Sequence, residues 1–331
     1  MIQTTTPLPS SPVNNSRVLS IQSHVVSGYV GNRAAAFPLQ LLGWDVDVLN
    51  TVQFSNHLGY GHHGGDRMSV DHLLSCINGL ELNGLLNHDA LLTGFTPGAG
   101  AMEALKLTFK KLKSRNPDLV YLVDPVMGDD GKLYVSQDVI PKYKDLLSLA
   151  TIATPNQFEA QILTGIDPKS ISDIKKCLLS FHNKFGIAHV VVTSISIPTS
   201  ELRSYKDLPH PDSEGNVLLC AGSTMSPTET SLWGILFPKR EEKYAGVGDL
   251  FASVLLGRFR SSESKYSLRE AAELALATTQ GILDTTNEFV TAGGSGSTIP
   301  LSRAQSSELK IIQGRRFIEN PIVKYRAIDL F

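Results

Sequence analysis

From residue 17 onward, short apolar runs alternate with longer segments whose apolar residues recur at helical spacing. Val18-Leu19-Ser20-Ile21 predicts a strand that stops at Ser23 and Gly28, and residues 34–42 predict a helix closed by Gly43. Residues 46–54 alternate apolar and polar positions as a half-buried strand does. After a glycine-rich loop, 68–80 reads as a helix, 89–95 as a buried strand and 99–114 as an amphipathic helix ending in Lys and Arg. The run 119–123 is another buried strand, terminated by Asp124-Pro125. A helix at 138–149, a strand at 150–154, helices at 157–163 and 172–185 and a strand at 189–193 continue the alternation.

Strands separated by helices, several of them continuous apolar runs, imply an α/β fold whose mostly parallel central sheet is covered on both faces. Polar residues sit where these strands end: Ser23, Thr93, Asp124, Thr154 and Thr193. In open α/β sheets the ligand crevice lies outside the carboxyl ends of the strands, so this line of residues locates a site. Past Ser196 the pattern changes. Residues 198–215 read as a surface loop, 217–221 and 231–237 as antiparallel strands, and 249–258, 268–284 and 307–318 as helices. The Gly-Gly-Ser-Gly-Ser run at 293–297 reads as a flexible connector. With no internal repeat and no clean linker, 17–331 is expected to be one domain, preceded by a disordered Ser/Thr/Pro-rich lead-in at 1–16.

Composition narrows the partners. The 331 residues carry 30 Lys plus Arg against 32 Asp plus Glu, a formal net charge of −2. That balance argues against nucleic-acid wrapping and against a polybasic membrane anchor. Cys76, Cys177 and Cys220 are too few and too scattered for a disulfide framework or a metal site, and read as small buried apolar groups in a reducing compartment. No apolar run approaches the roughly 20 residues of a membrane span, and the first residues lack a signal-peptide pattern. A cytosolic protein is expected.

Three strand-to-helix junctions carry candidate chemistry. Gly246-Val247-Gly248-Asp249 precedes a helix, where backbone amides and the helix dipole favour an anion. A carboxylate beside a phosphate would repel it, so the use for Asp249 is to accept a proton from an attacking hydroxyl. The plainer alternative is an N-cap. Asp124 and Asp129, in Asp124-Pro125-Val126-Met127-Gly128-Asp129, suit magnesium held directly or through water. Thr154-Pro155-Asn156-Gln157-Phe158-Glu159 forms the third junction, where Asn156 or Thr154 could simply cap the helix and Glu159 could face cleft or solvent. No phosphate-binding P-loop is present. Gly59-Tyr60-Gly61-His62-His63-Gly64 matches the dinucleotide pattern, but the expected acidic partner, Glu81, falls at a helix end. His57, His62 and His63 lack a companion Cys or carboxylate at a metal spacing. A substrate-covering loop is the better reading of this segment.

Taken in order, Arg17 to Val25, Gly28-Tyr29-Val30-Gly31-Asn32, Val52-Gln53-Phe54-Ser55-Asn56-His57, Leu92-Thr93-Gly94-Phe95 and the three junctions together resemble the pyridoxal kinases, the vitamin B6 branch of the ribokinase-like superfamily. The resemblance runs from residue 17 to about 253. It implies a three-layer α/β/α sandwich and ATP-dependent phosphorylation of the 5′-hydroxymethyl group of pyridoxal, pyridoxine or pyridoxamine. It implies that Ser23 meets the polar edge of the ring, that Val30, Val52, Phe54 and His57 line its pocket, and that Tyr134 belongs to a closing loop. Asp124, Asp129, Thr154, Asn156, Glu159, Thr193 and Ser194 correspond to positions around the ATP phosphates, with Asp124, Thr154 and Glu159 toward Mg2+ and a K+ or Na+ ion. Gly246, Val247 and Gly248 correspond to the anion hole and Asp249 to the catalytic base. A cytoplasmic homodimer, with a nuclear pool allowed, is the implied assembly. Leu58 replaces a Thr that touches ring substituents in many relatives, and Val247 replaces a Thr between the two glycines. The 198–230 segment is longer than the family pattern requires. A non-catalytic vitamer-binding relative and a hydroxymethylpyrimidine kinase are the alternatives.

Overall fold

Strand β1 (Arg17–Val25) runs four residues beyond the expected end, and its polar positions explain why. The Ser20 hydroxyl donates to Asn32 Oδ1 at 2.7 Å and the Gln22 side-chain amide donates to Ser20 Oγ at 2.9 Å. These buried polar groups are paired, so the strand can stay inside the sheet through Ser23. It lies parallel to β2 (Asp45–Phe54) on one side and to β4 (Ala90–Thr93) on the other. The computed structural model describes residues 16–198, 201, 217–259, 266–292 and 302–330. The lead-in before Ser16, nearly all of the 198–215 loop and the 293–297 connector lie outside the described residues.

Among the described residues ten strands form one sheet. Its centre is a parallel block in the order β2, β1, β4, β5 (Val120–Val123), β8 (Ile152–Ala153) and β9 (His189–Ser196). Antiparallel strands extend it at both edges: β3 (Gly65–Arg67) beside β2, and β10 (Val217–Met225), β11 (Thr230–Pro238) and β12 (Ile328–Asp329) beyond β9. A separate hairpin, β6 (Gly128–Asp129) with β7 (Lys132–Leu133), follows the Asp124 junction. β1 lies between strands to which the chain turns in opposite directions, which makes its carboxyl end the switch point where α/β folds bind ligands.

Side chains alternate between two cores because the parallel strands are covered on both sides. Tyr121 and Val123 face one core, packed with helices α2 (Val70–Leu82), α3 (Ala99–Arg115), α4 (Val139–Leu147), α5 (Gln157–Thr164) and α6 (Ile171–Phe185). Val120 and Leu122 face the other, packed with α1 (Asn32–Leu41), α7 (Val247–Arg258) and α8 (Leu268–Thr291). The three-layer α/β/α expectation therefore holds.

Several helices differ from their expected bounds; α8, expected at 268–284, runs on to Thr291. α2 starts at Val70 rather than 68, because the Ser69 hydroxyl caps it by accepting from His72 N and the Met68 amide donates to Thr51 O at 2.9 Å. The 307–318 helix does not form as expected: a short turn, Arg303–Ser306, precedes the span, and only its last four residues are helical, in Arg315–Glu319. Between them Leu309 and Ile311 are both fully buried, at a spacing no single helix face provides. Glu308 instead pairs through its backbone with Ala245 in a parallel bridge. Local helical periodicity yields here to tertiary contact.

Candidate active site

Helix α7 begins immediately after Gly246, whose φ of +78° is left-handed. A β-carbon at Gly246 would lie 1.9 Å from Tyr29 O, so both the conformation and the close approach require glycine. Among the described residues no side chain caps this helix. The first-turn amides, including those of Val247, Gly248 and Asp249, have no partner within the helix. Gly248 is exposed and opens to solvent. The result is a cradle for an anion, with the helix dipole aligned to it.

Asp249 stands in the first turn, and its Oδ2 accepts from Gly31 N at 2.8 Å. Burial holds its carboxyl above the usual range, and the Gly31 hydrogen bond opposes that shift. The residue as a whole is half-buried. Gly31 is itself forced: its φ is +53° and a β-carbon would fall 2.1 Å from Ser23 O. Asn32 next to it donates to Leu49 O at 3.2 Å and Asn50 Oδ1 at 2.9 Å and accepts from Ser20, all within the sheet. The base candidate thus rests on an amide fixed by the switch-point network.

Asp124 is 5% exposed at the end of β5. Thr154 Oγ1 donates to its Oδ1 at 3.2 Å, while Oδ2 faces Gly248, 3.8 Å from where a β-carbon would sit there. Burial first, then the charges of Glu159 and Asp249, push the Asp124 carboxyl well above its ordinary value. Buried like charges of this kind are relieved by a cation. Glu159 is also buried, and burial raises it against three backbone hydrogen bonds. Its Oε1 accepts from Met127 N at 2.9 Å and Gly128 N at 3.4 Å, and its Oε2 accepts from Asn156 N at 2.9 Å. With Asn156 Oδ1 accepting from Glu159 N, this is a capping box that also anchors the 124–129 turn. Glu159 faces neither open cleft nor solvent.

Among the described residues no group of three or more His, Cys, Asp or Glu is arranged as a metal cage. Magnesium commonly uses one or two carboxylates together with water and substrate phosphates. Asp124, with an oxygen directed at the anion cradle, fits that use. Glu159, with both oxygens engaged by amides, fits an orienting role beside it.

Val25, Val52 and Phe54 form a small apolar cluster with Val30 and Phe95, separate from the two main cores. Ser23 borders it, paired in register with Val52. This brings together four of the expected ring-contact residues next to Asp249. The His57 ring is mostly covered, its Nε2 3.3 Å from Glu308 Oε1, and it lies 4.9 Å from the ring of Tyr60. Leu58 and Tyr134 stand at the surface, 51% and 56% exposed. Asp129 is exposed on the β6–β7 hairpin, whose Asp130 pairs with Lys243. Thr193 and Ser194 are half-buried on β9, and the Thr193 amide donates to Pro155 O at 2.9 Å. The 59–64 glycine pattern makes a 3-10 turn (Leu58–Tyr60) leading into β3, with no helix following it, so it is not a dinucleotide turn. Glu308 had no signal in the sequence, since the helix expected over it would have set it on a helix surface.

A sheet switch point carrying a glycine-led helix N-terminus, with carboxylates on either side of the anion cradle, defines a small-molecule kinase of the ribokinase-like class. Residues 89–233 match the family model for phosphomethylpyrimidine kinase. Pyridoxal kinase of Arabidopsis thaliana is 39% identical, covering 96% of this chain and 95% of its own length. That of Sus scrofa is 38% identical, covering 96% of each. The solved structure of pyridoxal kinase from Leishmania donovani in complex with ADP and pyridoxamine has a TM-score of 0.80 and 32% identity, over 95% of this chain and 99% of that one. The chain belongs to the pyridoxal kinase family.

Proposed function

We propose that this chain transfers the γ-phosphoryl group of ATP to the 5′-hydroxymethyl oxygen of pyridoxal, pyridoxine or pyridoxamine, releasing ADP and the 5′-phosphate. The observation that carries the reading is the Asp249 carboxylate, in the first turn of an uncapped helix and held by Gly31 N at 2.8 Å. The vitamer ring lies against Val30, Val52 and Phe54, with Ser23 at its polar edge and His57, Leu58 and Tyr134 around the entrance. That orientation points the hydroxymethyl group at Asp249, which accepts its proton as the oxygen attacks phosphorus. The amides of Val247, Gly248 and Asp249 receive the γ-phosphoryl oxygens as negative charge builds on them. Asp129, Asn156, Thr193 and Ser194 border the nucleotide phosphates. Asp124, with Thr154 and Glu159 beside it, would hold Mg2+ and a K+ or Na+ ion, which would supply positive charge to the phosphates.

Residues 17–331 act as one catalytic unit in this reading, assembled as a cytoplasmic homodimer. Among the described residues no helix is long and apolar enough to cross a membrane. The test is steady-state kcat/KM on pyridoxal, pyridoxine, pyridoxamine and hydroxymethylpyrimidine, with ATP, magnesium and potassium present. A dominant rate on any B6 alcohol is expected. Activity on none of the four would overturn the kinase assignment in favour of a non-catalytic vitamer-binding protein. The match of residues 89–233 to phosphomethylpyrimidine kinase favours one second reading, a pyrimidine alcohol as substrate, which the same panel decides.

A further inference from the structure

Glu308 lies outside every motif, yet its buried carboxylate gathers donors from two separate loops. Its Oε2 accepts from Tyr29 N at 2.9 Å, and its Oε1 accepts from Tyr60 Oη at 3.2 Å. His57 Nε2 lies 3.3 Å from the same Oε1. His57 Nδ1 accepts from Gly59 N at 3.1 Å, so the ring carries its proton at Nε2, a buried atom that lies near Glu308 without an aligned hydrogen bond to it. Gly28 packs so closely that a β-carbon there would fall 2.3 Å from Oε1. The Glu308 backbone is bridged to Ala245, the residue before Gly246.

The 28–31 segment is therefore held at two points. Glu308 takes its Tyr29 amide, Asp249 takes its Gly31 amide, and the Tyr29 carbonyl between them abuts Gly246. We propose that Glu308 is a positioning residue that locks the 57–60 turn over the vitamer pocket to the 28–31 segment on which Asp249 rests. The inference builds on the kinase reading of the site. Burial tends to raise the Glu308 carboxyl, but His57, the Tyr29 amide and Tyr60 outweigh it and leave the group below its usual range, hence ionised at neutral pH.

Glu308→Gln tests the lock because two hydrogen-bond donors, with the His57 Nε2–H close by, then face one acceptor oxygen and one amide NH2. The Tyr60 hydroxyl can turn to accept, so the loss falls on Tyr29 or His57. Hydrogen exchange on the full chain is expected to speed up about tenfold at 28–31 and 57–60, with β1 amides unchanged. The KM for the vitamer is expected to rise about tenfold while that for ATP stays within about twofold. His57→Gln combined with Glu308→Gln should cost less than the product of the separate effects, since the two share one contact. Wild-type exchange in both segments would overturn the proposal, as would vitamer and ATP KM rising in step with a fall in Tm. If wild-type protein phosphorylates no vitamer, the kinase reading fails while the exchange measurement still decides the lock. Should Glu308→Gln not fold, Tyr60→Phe removes a single hydrogen bond and must show the same selective exchange at smaller amplitude.

Discussion

Adding one carbon at Gly246 and one at Gly248 should have opposite effects on stability and the same direction of effect on activity. At Gly246 the added β-carbon starts 1.9 Å from Tyr29 O, and ordinary contact begins at 3.4 Å, so one side must retreat by 3.4 − 1.9 = 1.5 Å. An alanine also bears about 1–2 kcal/mol for a left-handed backbone. Retreat of the 28–31 segment breaks the Gly31–Asp249 hydrogen bond, leaving a buried acceptor short of a donor at about 1–3 kcal/mol. The sum is about 2–5 kcal/mol. With unfolding entropy of about 2.1 cal/mol/K per residue, a chain of 331 residues loses about 3–7 °C in Tm. Displacing the base by about 1 Å lowers kcat by about 10²-fold. At Gly248 the nearest atom to the new carbon is Asp124 Oδ2 at 3.8 Å, so nothing need move. Alanine inside a helix gains about 0.5–1 kcal/mol over glycine, and Tm should rise slightly. The methyl nevertheless occupies the opening in front of the amides, so kcat/KM for ATP should fall. Thermal unfolding and steady-state kinetics on both variants decide this. Wild-type Tm and kcat in Gly246→Ala, or unchanged kcat/KM for ATP in Gly248→Ala, would refute the reasoning.

Further outcomes follow from the carboxylates and the pocket rim. Asp249→Asn keeps an acceptor for Gly31 N but cannot take a proton, so kcat should fall by about 10²–10⁴-fold with the KM for ATP little changed; undiminished kcat would remove Asp249 from its role. Because burial raises the Asp249 carboxyl, the wild-type acid limb of kcat/KM should lie above the ordinary aspartate range, with activity lost as pH falls through it. That limb should be missing from the residual activity of the variant. Asp124 is likewise raised, so the stability linked to it is fully present below the unfolded value and lost as pH rises through the folded one. Asp124→Asn should therefore gain Tm over wild type increasingly as pH rises above the ordinary aspartate range in metal-free buffer, while losing turnover; a constant difference would contradict the buried repulsion. Leu58→Thr returns a hydroxyl to a half-exposed position and should change the ratio of kcat/KM between pyridoxal and pyridoxamine by about 10-fold or less. An unchanged ratio would detach residue 58 from vitamer choice.

The acidic crevice helps explain how a chain of net charge −2 can serve an anionic cosubstrate. Attraction does not require a basic surface when backbone amides, a helix dipole and metal ions can supply it locally. The repulsion between Asp124, Glu159 and Asp249 is the counterpart, a stability cost concentrated at the proposed phosphate site.

Much of the molecule was legible in the chain. Continuous apolar runs such as 119–123 mark strands covered on both faces, because such strands have no solvent side on which to alternate. Thr93, Asp124 and Thr154 do fall at or just past strand ends, whereas Ser23 and Thr193 lie inside longer strands, and the glycines before Asp249 mark the helix start. The N-cap reading of Asn156 also held, since an Asn three residues before a Glu can satisfy a helix start within four residues of sequence. What the chain did not disclose depends on partners far along it. β1 outran its apolar run because Asn32 and Gln22 satisfy its buried serine. The helical pattern at 307–318 lost to burial of Leu309 and Ile311 and to the bridge from Glu308 to Ala245. Glu308 meets Tyr29 across 279 residues of sequence, a pairing that no local propensity or spacing encodes. Sequence by itself determined the layers and the glycine-led start of the helix that carries Asp249, because these follow from short-range periodicity and turn chemistry. Tertiary structure alone decided which carboxylates repel one another, which amides hold them, and which loop is tied to which, because desolvation and hydrogen bonding at the site arise only once distant segments are packed together.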